Sequence, residues 1–167
     1  REDKIKTIIL PNHNALKAFS ITIVCLSFLS IFFFIPVVIR VFSIANLGDA
    51  RVYIQTEGQF YEQSFISTIA SISSTLYSIA IMLFFIYRIL QTNKTLSILL
   101  LISSLSYVIY VFAFVGRDGV VFWLFSFVGC YGLFKKFLIE RDKKNIEKVL
   151  IVFLILAIPL FMLITID

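Results

Sequence analysis

Two arginine–aspartate groupings carry the side chains in this chain best suited to chemistry. One is Gly116-Arg117-Asp118-Gly119, set between the apolar runs 96–115 and 120–134, and the other is Asp49-Ala50-Arg51. Arginine keeps its charge at any accessible pH and presents a planar fork of donors that grips phosphate or carboxylate at two points. A pair of such forks held at the surface of a greasy protein is a candidate anion clamp. A plainer alternative stands beside it: two glycines permit a tight reversal between helices, and Arg117 and Asp118 then only meet lipid headgroups or each other.

Other chemistries find little support. His13 is the only histidine, and Cys25 and Cys130 lie inside apolar runs without metal-ligand spacing around them. The histidine therefore reads as a solvated turn residue, the cysteines as packing residues, and neither a metal nor a cofactor is expected. Phosphate-binding glycine loops and serine-elbow patterns are missing from the sequence, and no nucleic-acid-binding module is visible.

The elements that must position the arginines follow from hydropathy. Of the 167 residues, 60% are hydrophobic and 15% charged, with a mean hydropathy of +0.99, which is the composition of an integral membrane protein. The expected fold class is all-α and polytopic, with about five transmembrane helices at 15–39, 65–87, 96–115, 120–139 and 149–166. Residues 1–14 form a polar segment before them, 40–64 a partly helical interfacial connection, and 140–148 a charged loop with a short solvated helical extension. Ser67, Ser71, Ser74 and Ser78 share one helical face and predict a close helix–helix seam. No internal repeat is evident. The chain starts at Arg1 and stops at Asp167 directly after an apolar run, and so reads as a fragment of a longer protein.

Orientation follows from the basic residues. Alternating the five spans puts twelve Lys and Arg on the side of the chain start and three, Arg40, Arg51 and Arg117, on the other. By the positive-inside rule the start is cytoplasmic and the three arginines face outward.

The stretch 110–127, Tyr-Val-Phe-Ala-Phe-Val-Gly-Arg-Asp-Gly-Val-Val-Phe-Trp-Leu-Phe-Ser-Phe, with Lys135 and Lys136 close behind, resembles the Gly-Arg-Asp-Gly hairpin of bacterial oligosaccharide repeat-unit polymerases. These are the O-antigen and capsule polymerases of the Wzy-dependent pathway, and the resemblance covers mainly 96–144. It implies a multi-pass glycosyltransferase of the bacterial inner membrane that joins undecaprenyl-diphosphate-linked oligosaccharides at the outer face. It needs no metal, and a flippase and a chain-length regulator are its expected neighbours. Carried onto this chain, the resemblance puts Arg117 on the diphosphate, Arg51 on the same anion or the donor glycan, Asp118 in a role orienting Arg117, and Asp49 at a sugar. The acceptor-activating base is not identified. An O-antigen ligase, a lipid-linked glycan flippase or other transporter, and a non-catalytic envelope protein are the alternatives. The five spans hold no charge near their middles, which counts against a transport path.

Overall fold

The computed structural model describes residues 13–43, 63–116 and 118–166, and all regular structure among them is helical. Helix α1 (His13–Phe42) is 30 residues long, roughly 45 Å at 1.5 Å per residue. It passes through Pro36 without stopping and ends where the Ser43 hydroxyl donates to the Arg40 carbonyl at 2.7 Å. Its buried positions, among them Leu16, Ser20, Ile23, Ser27, Ser30, Phe34, Val37 and Val41, recur every three or four residues. That stripe packs against the four helical segments that follow, which makes α1 the centre of the bundle.

The expected span 65–87 is two helices, α2 (Phe65–Ser74) and α3 (Tyr77–Leu90), meeting at 47°. Ser64 and Ser67 start α2 with a capping box: the Ser67 amide donates to Ser64 Oγ at 3.2 Å and the Ser64 amide to Ser67 Oγ at 2.8 Å. No proline causes the bend. The hydroxyls of Ser71, Ser74 and Thr75 donate to the carbonyls of Ser67, Ser71 and Ile72 at 2.9, 2.6 and 2.7 Å. The amides of Thr75 and Leu76 then turn to Ile72 and Ser73, three residues back, at 3.1 and 3.2 Å. Hydroxyls competing for helical carbonyls are a known cause of bending. Because of the break, Ser67 and Ser74 stay buried in the predicted seam and Ser71 half-buried, while Ser78 swings to the exposed side and Ser73 is buried in its stead.

The next span repeats the device. Helix α4 (Lys94–Ser103), capped by Asn93 Oδ1 accepting from the Leu96 amide at 3.3 Å, gives way to α5 (Ser106–Phe112) through back-bonded Ser103 and Ser104. The sequence at both breaks is Ile-Ser-Ser-x-x-Tyr-x-Ile, at 72–79 and again at 102–109. This short repeat, unrecognised in the sequence, places Tyr77 and Tyr107 face to face, with ring centroids 4.6 Å apart and planes 14° from parallel.

Helix α6 (Asp118–Phe134) returns across the bundle and ends in a 3-10 turn, Lys135–Phe137. Helix α7 (Glu140–Ile166) then begins at once, so 140–148 is not a loop but the charged first part of a helix. Glu140 and Asp142 lie in its first turn, where carboxylates oppose the positive helix end. The Lys143 ammonium bonded to Glu140 holds that carboxyl below the usual carboxylate range.

Three of these helical spans, His13–Phe42, Lys94–Phe112 and Asp118–Phe137, are long and apolar enough to cross a membrane, and the bent α2–α3 pair makes four. The five expected spans are thus not reached among the described residues. The fifth, 149–166, falls in α7, where the side chains at 156–158 and 160–166 lie outside the described residues.

Two buried apolar clusters fill the bundle. One gathers Trp123, Phe127, Phe84, Phe85 and Leu100, and the other Phe34, Val41, Ala70, Ala113 and Val115. Serines divide them. Along α1, Ser27 and Ser30 separate Val24 of the first cluster from Phe34 of the second. Ser73 and Ser74 do the same between Ala70 and Ala80, and Ser103, Ser104 and Ser106 follow Leu100 on the way to Ala113. All seven are buried.

Candidate functional site

The Gly116–Gly119 turn lies at the end of the bundle where α1 finishes and α2 starts. Phe112 sets its ring edge-on to Phe42 at 6.3 Å, and Val115 shares a cluster with Val41 and Ala70. Both ends of the connection 44–62, which carries Asp49 and Arg51, are therefore at this end too. Arg117, Arg51 and Asp49 themselves lie outside the described residues. Of the candidate residues only Asp118 is described: it opens α6, exposed, as an acidic first-turn residue.

The turn is built differently from the tight glycine reversal that the sequence suggests. The Gly116 amide donates to the Val111 carbonyl and the Val115 amide to that of Phe112, both at 3.0 Å, which is the double closure of a Schellman motif. The left-handed position in it, usually glycine, is Val115 at φ 54°. A β-branched residue there is strained by roughly 1–3 kcal/mol. The valine is nonetheless buried in the second cluster. The two glycines serve contact instead. A Cβ on Gly116 would lie 2.6 Å from Val111 Cγ1, and one on Gly119 2.8 Å from Val111 Cβ and 3.2 Å from Val108 Cα. They let the start of α6 lie directly on α5.

A second polar group, missed in the sequence, sits at the opposite end. Asp142 is 3% exposed. It accepts from Gln91 Nε2 at 2.6 Å and faces an Arg88 guanidinium nitrogen at 4.0 Å. Gln91 also donates to the Arg88 carbonyl at 2.6 Å and ends α3 in the left-handed conformation. The Arg88 guanidinium lies over Phe84, 5.6 Å from the ring centre, and its Nε is buried without a hydrogen-bond partner. The sequence had a signal for this burial. Asp142 lies four residues before the buried Ile146, so it shares the buried side of α7 rather than its charged face. The group fastens α7 to the end of α3, a tether rather than a reaction centre.

The serine layer is the third polar feature. Ser106 Oγ donates to the Ser74 carbonyl at 3.5 Å, joining the two helix breaks, and Trp123 Nε1 donates to Ser104 Oγ at 2.9 Å. Ser27 and Ser30 are fully buried, and their hydroxyls find no hydrogen-bond partner.

Among the described residues no three His, Cys, Asp or Glu side chains come together as a metal site. His13 is exposed at the start of α1. Cys130 is half-buried and Cys25 exposed, so the expectation of a packing role fails at Cys25.

Comparison with known protein families, with curated proteins and with solved structures finds no match. What fold and site define is a class: an all-helical protein with three to four helices apolar and long enough to cross a membrane, two of its spans broken at paired serines.

Proposed function

We propose that this chain is part of a membrane glycosyltransferase that polymerises undecaprenyl-diphosphate-linked oligosaccharides at the outer face of a bacterial inner membrane. The observation that carries this is the position of the 116–119 turn. It sits at the same end of the bundle as both ends of the 44–62 connection, with Asp118 exposed beside it. In the proposal, Arg117 and Arg51 act together on one anion. In the reaction, the acceptor sugar hydroxyl forms a bond to the anomeric carbon of the donor glycan as the bond from that carbon to the diphosphate breaks. The hydroxyl proton passes to a base, and the arginines stabilise the departing diphosphate. Fixed donors aimed at charge that develops in the transition state commonly supply a factor of about 10² to 10³ each.

Changing Arg117 to Lys keeps the charge and removes the two-point fork. Polymerisation of surface glycan should be lost while the protein still inserts; wild-type chain lengths in that strain would remove the catalytic role. For sidedness, Asp118→Cys is the better reporter than a cysteine at Gly119, whose Cβ has no room. Labelling of that cysteine only from the cytoplasm would overturn the outward orientation.

A transport path is the second possibility, and one observation favours it. Two spans are interrupted at paired sites, with buried hydroxyls around the breaks, which is how transporters build midplane binding sites. Cysteines placed at Ser27 and Ser30 distinguish the two. Under the glycosyltransferase proposal they resist water-soluble thiol reagents applied from either side, whereas a water-filled path exposes them.

A further inference from the structure

Helices α6 and α7 leave an apolar groove between them that opens to the outside of the bundle. Two pockets of about 320 and 260 Å³ share Val128 and Leu150 and so run into one another along α7, from Glu147 to Leu154. That length of helix is roughly 10 Å. Phe125, on one wall, is 73% exposed, and Ile151, on the other, 54%. In water such a face would be costly. Next in sequence to its lining residues Leu124, Val128 and Leu154, Trp123 stacks on Phe127 and packs at a tilt against Phe153, with ring centroids 4.9 and 4.2 Å apart.

The groove's two ends differ in chemistry. At the end nearer the start of α7, Tyr131 donates its hydroxyl to Glu147 at 2.6 Å, and Lys135 Nζ lies 5.5 Å from the Tyr131 ring centre. Lys136, Lys144 and Lys148 are exposed close by in sequence. Glu147 is the one carboxylate among the groove's lining residues, set against the lysines around it, and it accepts the Tyr131 hydroxyl. The other end, at Val121 and Phe125, is wholly apolar. A long apolar slot with a cationic mouth complements a ligand that has a hydrocarbon tail and an anionic head.

We propose that the α6–α7 groove is a binding site for an anionic phospholipid, with one acyl chain between Val128 and Leu150 and the headgroup phosphate at Lys135 and Lys136. The headgroup end of the site, at Lys135 and Lys136, lies beyond the far end of α6 from the 116–119 turn, and no residue of that turn lines the groove, so the site does not depend on the glycosyltransferase proposal. Lysines near an anionic headgroup hold it by charge, while the groove selects for a tail lodged between helices rather than lying beside them.

Trp123 is the chain's only tryptophan and packs just behind the groove, so its fluorescence tests this directly. The chain is reconstituted in phosphatidylcholine vesicles containing a minor fraction of phosphatidylglycerol brominated along its acyl chains, or the same fraction of brominated phosphatidylcholine. Saturable quenching by the brominated phosphatidylglycerol should exceed that by the zwitterionic lipid. Lys135→Gln with Lys136→Gln should weaken the apparent affinity about 25-fold, taking roughly fivefold for each lysine. Val128→Phe, at a position 49% exposed, fills the groove and should remove the excess quenching with every lysine in place. Equal quenching by the two lipids overturns the proposal. So does an excess that disappears with the lysines but survives Val128→Phe, since that is attraction to the surface without a site. The lysine pair is exposed, so this arm stands even if the groove variant folds poorly.

Discussion

Gly119→Ala should cost this protein about 2–3 kcal/mol of stability, an unusually large effect for one methyl group. The added Cβ meets Val111 Cβ at 2.8 Å and Val108 Cα at 3.2 Å, neither of which can rotate away. Helix α6 must therefore lift from α5. For a chain of this size the melting temperature in detergent should fall by roughly 4–12 °C. Gly116→Ala clashes with different atoms, chiefly Val111 Cγ1 at 2.6 Å. Val111→Ala removes that carbon but keeps its Cβ, so it should rescue Gly116→Ala in large part and Gly119→Ala hardly at all. A double-mutant cycle measures both couplings. Gly129 and Gly132, on the same helix, would place a Cβ in open space, and alanine there should stabilise the protein by about 0.5–1 kcal/mol. If all four replacements behaved alike, the close approach of α5 and α6 would be wrong.

Asp142→Ala is expected to be the next most damaging change. It strips the acceptor from Gln91 and the counter-charge from Arg88 in one step. Losing one partner of a fully buried pair costs about 3–5 kcal/mol. The Arg88 side chain is 23% exposed and its ion pair is long at 4.0 Å, so water can recover part of the loss and about 2 kcal/mol is the better figure. Asp142→Asn keeps an oxygen for Gln91 and should lose less than half of that. Because Phe153 of α7 packs against Trp123, loosening α7 should also shift tryptophan emission to the red. An unchanged melting temperature together with unchanged emission would mean that Asp142 does not tether this helix.

Both predictions rest on features that the sequence showed only in part. The Gly-Arg-Asp-Gly stretch is conspicuous between two apolar runs, and its place between helices was legible. Its glycines looked like turn residues because glycine tolerates positive φ, yet that conformation falls to Val115, and Gly116 and Gly119 are required by the side of α5 that faces them. Asp142 was legible as a charge but not as a buried one, since seven charged residues crowd positions 140–148 and mask the apolar stripe beneath. The serine clusters were visible as a seam. That they would bend one span and interrupt another at matching places follows from hydroxyl-to-carbonyl bonds that compete with helical amides.

By itself the sequence determined the helical class, the apolar runs and the polar turn that separates two of them. Those are local properties, because the length of an apolar run and the residues that interrupt it can be read without knowing any neighbour. Only the tertiary structure decided which helix breaks face one another, why the glycines are needed and where α7 is tied down. Tyr77 stacks on Tyr107 thirty residues away, and Gln91 bonds to Asp142 across 51. Hydrophobic periodicity says which side of a helix is buried, but lipid and protein interior are almost equally apolar, so the pairing of those sides is left to shape and to a few hydroxyl, amide and carboxylate contacts.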